Sequence, residues 1–226
     1  AHAITRRLDD VRRTDPTFSW LMPDGKVQVS LEKDRLRAVT LLASHRPDMD
    51  PQEVRRILLE RVIAPVAGAE DAQIWVNPAG PFTRCGFHAD TGVNGRRLSS
   101  DSYGGLVPFG DNALSGKDPS KPERAGAYMA RAAAKWIVDQ GLATSAVVTA
   151  AYAFGRAEPV SLEAVGMGEK TRGSKMNLSE LVRTTFDFRP DAVVERLNLQ
   201  RPLYRASSVH GTFGRPGLPW EEPLAT

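Results

Sequence analysis

The sequence has almost no cysteine and no long apolar run. Cys85 is the only cysteine among its 226 residues, so no disulfide can form within the chain and a reducing compartment is expected. We interpret Cys85 as a small buried thiol, with a nucleophilic role as the alternative. No apolar segment reaches the roughly 18 residues that a membrane span requires, and the start of the sequence has no secretory-leader pattern. These absences favour a cytoplasmic enzyme or enzyme subunit.

Neither sign of charge dominates. The sequence has 30 Lys and Arg against 27 Asp and Glu, a net charge of +3, which suits an anionic ligand but is too small for a protein that coats DNA. No block of five like charges is present, which argues against a nucleic-acid-binding tail. The histidines show no metal-ligand spacing and are expected to have surface or hydrogen-bonding roles: His2, His45, His88 and His210.

Hydrophobic patterning changes at the Pro- and Gly-containing segment over 77–81. Before it we expect a polar helix over 1–14, a turn over 20–25, strands over 26–32 and 35–44, a helix from Asp50 to about Val66 and a strand over 72–77. After it, residues 82–121 are rich in Gly, Asp, Ser and Pro, a composition that usually marks a functional loop region. Beyond that region we expect a helix over 122–140, strands over 145–154 and 159–165, and helices over 177–186 and 190–197.

These elements predict an α+β fold of two domains, at residues 1–80 and 81–226, each a sheet covered by a layer of helices. Asp50 and Asn177 are predicted to cap the helices that follow them. The apolar face of the helix over 122–140 is expected to be core: Tyr128, Met129, Ala132, Ala133, Trp136 and Ile137.

Four segments combine charged residues with glycine: Pro23–Lys26, Gly86–Arg97, Asp101–Gly105 and Ser115–Arg124. Glycine lets backbone N–H groups approach an anion, and a helix start, expected at Pro122, adds the positive end of a dipole. Each segment alone has a simpler explanation, such as a hairpin turn or a solvated charge pair, but together they favour a phosphate site. The spacing G-x-x-x-x-G-K-[ST] is absent, which excludes an ordinary P-loop.

Six ordered segments resemble landmarks of the S-adenosylmethionine synthetase (methionine adenosyltransferase) family: WLMPDGKVQVS, GFHADTGVNGRRLSSDSYGG, ALSGKDPSKPERAGAYMAR, AYAFGRAEPVS, FDFRP, and HGTFGR followed by LPWE. The first is similar to the family's Pro-Asp-x-Lys turn, and the third to its Ala-Phe-Ser-Gly-Lys-Asp loop. The resemblance covers essentially the whole chain. It implies two of the family's three pseudo-repeated domains, the central one and the C-terminal one.

The resemblance implies synthesis of S-adenosylmethionine from ATP and methionine, with triphosphate expelled and then hydrolysed. A cationic cradle stabilises such a leaving group, and the implied catalytic residues are Lys26, Arg96, Arg97, Lys117 and Lys121. The implied ATP contacts are Asp24, Gly25, Lys26, Phe82, Asp90, Arg96, Arg97, Ala113 and Lys117. Methionine contacts are implied for Asp90 and Lys121, and a Mg²⁺ ligand for Glu123. K⁺ is expected by analogy with the family.

Some positions differ from the family pattern. Arg97 replaces a lysine, Glu123 an aspartate, and Pro81 an arginine, while Gly110-Asp111-Asn112 stands in place of three glycines. The N-terminal Gly-His-Pro-Asp-Lys and Asp-Gln-Gly motifs of the family are absent from the sequence, so the first sheet is expected to lack a strand and to leave an open edge.

Two functional interpretations follow from the resemblance and these differences. The first is a C-terminal subunit or portion of a methionine adenosyltransferase, active in a homo- or hetero-oligomer with a companion chain that carries the N-terminal domain. The second is a non-catalytic partner that binds a nucleotide or polyphosphate, or that scaffolds a synthetase. No nucleic-acid or membrane partner is expected in either case.

Overall fold

The structure is a computed structural model that describes residues 1–33, 35–68, 71–89, 97–110, 113–168 and 176–224. The chain divides into two units, Ala1–Val93 and Asn94–Thr226, each with its own sheet and its own buried apolar cluster. The expected α+β class is confirmed. In the described part of the chain, no helix has the length and apolarity that a membrane crossing would need.

The first unit packs a three-stranded sheet against helices. Its elements are α1 (His2–Thr14), β1 (Leu21–Glu32), β2 (Arg35–His45), α2 (Pro51–Leu58), α3 (Ala64–Ala67) and β3 (Gln73–Val76), with a π-helical turn over Leu59–Ile63 and 3-10 turns over Pro16–Phe18 and Gly86–His88. The sheet order is β1-β2-β3, with β1 antiparallel and β3 parallel to β2. Because strand side chains alternate between faces, Val39, Leu41 and Ala43 of β2 all enter the core.

The helix start expected at Asp50 is confirmed. The Asp50 carboxylate accepts the N–H groups of Gln52 and Glu53 at 2.8 and 3.0 Å, and Pro51 occupies the first turn. The Glu53 carboxylate, in the first turn, accepts from the Arg56 guanidinium at 2.7 and 3.0 Å. Local capping chemistry therefore determines where this helix begins.

The turn expected over 20–25 is wrong, because Pro23, Asp24 and Gly25 belong to β1. The register passes from Leu21 opposite His45 to Gly25 opposite Ala43, so the three residues from Met22 to Asp24 lie opposite Ser44 alone. The Ser44 hydroxyl accepts the Asp24 N–H and donates to the Asp24 carbonyl, both at 3.0 Å. The segment is thus a β-bulge, where a proline costs no ladder hydrogen bond.

The second unit contains a two-stranded antiparallel sheet and five helices within the described residues. Its elements are α4 (Leu98–Asp101), α5 (Pro122–Asp139), β4 (Ser145–Ala151), β5 (Ser161–Met167), α6 (Leu178–Thr185), α7 (Pro190–Arg196) and α8 (Tyr204–Ser207), with a 3-10 turn over Pro219–Glu221. The predicted stripe of α5 is buried throughout, from Tyr128 to Ile137. The Tyr128 ring stacks on Trp220 with 3.7 Å between centroids, so α5 and the C-terminal turn share one core.

Two local signals predicted the smaller helices of this unit. The Asn177 side chain accepts the Glu180 N–H at 3.2 Å and caps α6, and Pro190 occupies the first turn of α7. No signal predicted α8, a single turn inside the Pro- and Gly-rich tail. Its position depends on packing instead, since Ser207 is 2% exposed and the Tyr204 hydroxyl donates to the Leu199 carbonyl.

Candidate functional site

Asp24, Gly25 and Lys26 lie at the bulge of β1 in the first unit. The Asp24 carboxylate accepts the Gly86 N–H at 2.8 Å, which fixes the start of the 3-10 turn over Gly86–His88. A Cβ atom on Gly25 would lie 2.6 Å from Leu8 Cδ2, so the missing side chain lets α1 approach the sheet. Lys26 is exposed, in register with Leu42 of β2.

Phe82 is held beside the end of β2 by backbone bonds. The His45 N–H donates to the Phe82 carbonyl at 2.9 Å, and the Phe82 N–H donates to His45 Nε2 at 3.3 Å. Upstream, the Asn77 side chain accepts from the Ala43 N–H and donates to the Ala43 carbonyl at 2.9 and 3.0 Å. The segment from Asn77 to Phe82 therefore continues the pairing that β3 begins.

His45 is a buried histidine with a defined tautomer. The residue is 1% exposed, and its Nδ1 lies 3.0 Å from the Arg46 carbonyl oxygen. Since a carbonyl needs a donor and the Phe82 N–H needs an acceptor, these two contacts assign the ring proton to Nδ1 and the acceptor role to Nε2. The expected hydrogen-bonding role of this histidine is thus specific: it orients Phe82.

In the second unit, Lys117, Lys121 and Glu123 lie around the start of α5. Lys121 is the N-cap of this 18-residue helix and is exposed. Lys117 Nζ lies 3.9 Å from Glu123 Oε1, and the Glu123 side chain is 44% exposed. Two lysines at the positive end of a helix form a cationic surface that suits phosphate.

The loop that carries these lysines has its own internal support. The Asp118 carboxylate accepts the Ser120 N–H at 2.9 Å and the Ser120 hydroxyl at 2.6 Å. These bonds, the hydroxyl first, lower the pKa of Asp118 below its usual value, with smaller contributions from Lys121 and Arg124. The carboxylate is thereby turned toward its own loop.

Arg124 is a residue of this site that sequence reasoning missed. It is 4% exposed, its Nε donates to the Tyr128 hydroxyl at 2.9 Å, and its Nη1 donates to the Lys117 carbonyl. One signal was present in the sequence: a cation in the first turn of a helix opposes the helix dipole and needs a specific reason.

Ala113 and Arg97 lie near α4 in the same unit. Ala113 lines a small cavity of about 20 Å³ together with Asp101, Phe109 and Thr212, which is room for about one water molecule. Arg97 precedes α4 and is exposed, and its carbonyl accepts the Asp101 N–H at 2.7 Å.

Two implied site residues, Asp90 and Arg96, lie outside the described residues. Within the described ranges, no group of three or more His, Cys, Asp or Glu side chains could hold a metal ion by itself. Among the described residues, Glu123 would therefore have to bind a metal ion without a cluster of other protein ligands. Mg²⁺ is commonly bound in this way, by one or two carboxylates together with phosphate oxygens and water.

A separate cleft of about 630 Å³ lies in the second unit between the β4–β5 connection and the segment that joins α6 to α7. None of the implied site residues line it. Two of its arginines already have acidic partners: Arg183 bonds Glu180 at 3.0 Å and Arg189 bonds Asp187. Its charges are largely neutralised within the chain, so it is not the candidate phosphate site.

Comparisons with known proteins identify both halves of the chain. The family model described as S-adenosylmethionine synthetase, central domain, matches residues 1–82, and the one described as S-adenosylmethionine synthetase, C-terminal domain, matches residues 85–222. Relatives named S-adenosylmethionine synthase are 42% identical in Deinococcus deserti, Deinococcus radiodurans and Thermus thermophilus. Each match covers 98% of this chain but only 57–58% of the relative. The chain thus spans less than two thirds of their length.

Proposed function

The chain belongs to the S-adenosylmethionine synthetase family, and on that premise we propose that it forms the triphosphate-binding portion of a methionine adenosyltransferase. In this proposal residues 1–80 form the central-type domain and residues 81–226 the C-terminal-type domain. The observation that carries the proposal is the start of α5, where Lys117 and Lys121 lie at the positive end of a long helix.

The proposed chemistry requires a site that stabilises departing negative charge. The methionine sulfur attacks C5′ of ATP, the C5′–O bond breaks, and its electron pair leaves on the triphosphate. Cations and dipoles that face this charge stabilise the transition state more than the ground state. We propose this role for Lys117, Lys121 and Arg97 of the second unit. Lys26 and Arg96 have the same role by family resemblance.

Contacts to the remaining parts of the substrates are proposed separately for each unit. In the first unit, Asp24, Gly25 and Phe82 contact the nucleoside, and Asp90 contacts ATP and methionine by family resemblance. In the second unit, Ala113 contacts ATP and Lys121 contacts methionine.

Glu123 is the proposed Mg²⁺ ligand. The Glu123 carboxylate would hold Mg²⁺, and the ion would supply positive charge that stabilises the triphosphate. The exposed carboxylate beside Lys117 supports this role, because both side chains then face the same phosphates. K⁺ remains an expectation from the family, with no residue assigned to it.

We further propose that the methionine side of the site is supplied from outside these 226 residues, by a companion chain in a cytoplasmic oligomer. The relatives extend well beyond the matched part, since the match covers 58% of the Deinococcus deserti protein. A second candidate function is a partner that binds polyphosphate without catalysis. The sequence Gly110-Asp111-Asn112 favours it, because it introduces a carboxylate beside the implied phosphate loop.

The test combines a binding assay with a turnover assay. Calorimetry with inorganic triphosphate and Mg²⁺ is expected to show binding that Lys117→Ala weakens. Lys135→Ala, which lies in α5 and 18 residues from Lys117, serves as the matched control. Mass spectrometry is expected to detect S-adenosylmethionine from ATP and methionine only when the companion is added. Binding without turnover in the complex would favour the second candidate, and no binding of triphosphate would refute both.

A further inference from the structure

Arg124 has an environment that is unusual for an arginine. It is 4% exposed, in the first turn of α5, close to the exposed Lys121 and the half-buried Lys117. Burial of a charge is costly without strong partners, and the helix dipole disfavours a cation at this end. Specific contacts must therefore offset both costs.

Those contacts come from one backbone carbonyl and two tyrosines. Nη1 donates to the Lys117 carbonyl and Nε donates to the Tyr128 hydroxyl at 2.9 Å. The guanidinium carbon also lies 4.3 Å from the centroid of the Tyr204 ring, a cation–π distance. A planar guanidinium can make all three contacts together, whereas an ammonium cannot.

The two tyrosines are themselves fixed by the core. Tyr128 stacks on the fully buried Trp220, and the Tyr204 hydroxyl donates to the Leu199 carbonyl. The two tyrosines therefore hold the guanidinium in place. Its remaining contact, to the Lys117 carbonyl, is the one that reaches the loop. That bond spans seven residues and joins the loop to the helix.

We infer that Arg124 is a positioning residue: it fixes the backbone of Lys117 and thereby aims the Lys117 ammonium at a bound phosphate chain. The consequence for ligand binding rests on the proposed function, while the anchoring of the loop does not. Arg124 itself does not touch the ligand in this inference, because its guanidinium is buried against Tyr128 and Tyr204.

Hydrogen exchange tests the anchoring without any ligand. Arg124→Lys keeps the charge but removes the planar guanidinium that bonds Tyr128 and the Lys117 carbonyl together. The Lys117 and Ser120 amides are therefore expected to exchange at least about tenfold faster. Arg131→Lys is the matched control, because Arg131 also lies on α5 but bonds Glu221 at 3.0 Å instead of the loop. Equal loop exchange in both variants and the wild-type chain would overturn the inference.

Triphosphate binding tests the consequence. Arg124→Lys is expected to weaken binding of inorganic triphosphate about tenfold, which corresponds to the roughly 1.4 kcal/mol of one charge-assisted bond, whereas Arg131→Lys stays within about twofold. A double-mutant cycle separates positioning from general destabilisation. If Arg124 acts through Lys117, then Arg124→Lys adds little in a Lys117→Ala background.

The outcomes distinguish this inference from the proposed function. If the wild-type chain binds no triphosphate, the proposed function fails and the exchange rates alone decide whether Arg124 anchors the loop. If the wild-type chain binds and Arg124→Lys binds equally well, the inference fails and the proposed function stands. Full additivity of the two substitutions would also overturn it, because the arginine would then act independently of Lys117.

Discussion

Replacement of His45 tests how Phe82 is held. His45→Leu keeps a side chain of comparable size but makes it apolar, which removes the acceptor for the Phe82 N–H and the donor for the Arg46 carbonyl. Two lost hydrogen bonds at about 1 kcal/mol each, plus the penalty for groups left unpaired in a partly buried site, predict a loss of about 2–4 kcal/mol in unfolding free energy.

Urea unfolding of the chain, followed by circular dichroism, measures this change. His45→Gln is the conservative comparison, because an amide both donates and accepts and is expected to recover at least half of the loss. His88→Leu is the exposed control and should change the unfolding free energy by less than about 0.5 kcal/mol. The Phe82 amide should also exchange faster in His45→Leu. A His45→Leu protein as stable as the wild type, with unchanged exchange at Phe82, would refute the reasoning.

Three further perturbations follow from single contacts. Gly25→Ala places a methyl group 2.6 Å from Leu8 Cδ2; because that atom is the end of a side chain that can shift, the expected cost in thermal or urea unfolding is at most about 1 kcal/mol. Ser120→Ala should raise the pKa of Asp118, as measured by NMR titration, because the Ser120 hydroxyl makes the largest contribution to lowering that pKa. Any stability that this carboxylate contributes is present above its pKa in the unfolded chain and is lost as the pH falls through its pKa in the folded chain. Trp136→Phe removes a buried indole N–H that has no partner among the described residues. Because no hydrogen bond is lost, urea unfolding should show a loss of about 1 kcal/mol in unfolding free energy, below the roughly 3 kcal/mol of a typical large core truncation.

Local rules predicted the elements whose causes lie within a few residues. The start of α2 at Asp50 follows from a side chain that bonds N–H groups two and three residues later. The buried face of α5 follows from 3.6-residue periodicity. In both cases the residues that determine the feature lie within the element itself or directly before it.

The error at Pro23-Asp24-Gly25 has a different origin. This composition is typical of turns, yet the segment is a bulge because Ser44, twenty residues away from Asp24, bonds both backbone groups of Asp24. Pairing at that distance cannot be inferred from turn residues alone. The same limit applies to the site: the resemblance assigned the charged residues, but the contacts of Arg124 to Lys117 and Tyr204 depend on how the loop and α8 fold back on α5.

Three buried polar side chains each bond the backbone of a position proposed to contact ligand: Ser44 that of Asp24, His45 that of Phe82, and Arg124 that of Lys117. Each of the three residues is at most 4% exposed, so each would be costly to bury without its backbone partner. The dependence is mutual, because the partner's backbone is fixed by the same bond. A fixed backbone loses less conformational entropy when a ligand binds. A variant that keeps every lysine but loses these buried groups should therefore bind polyphosphate more weakly, although its surface charge is unchanged.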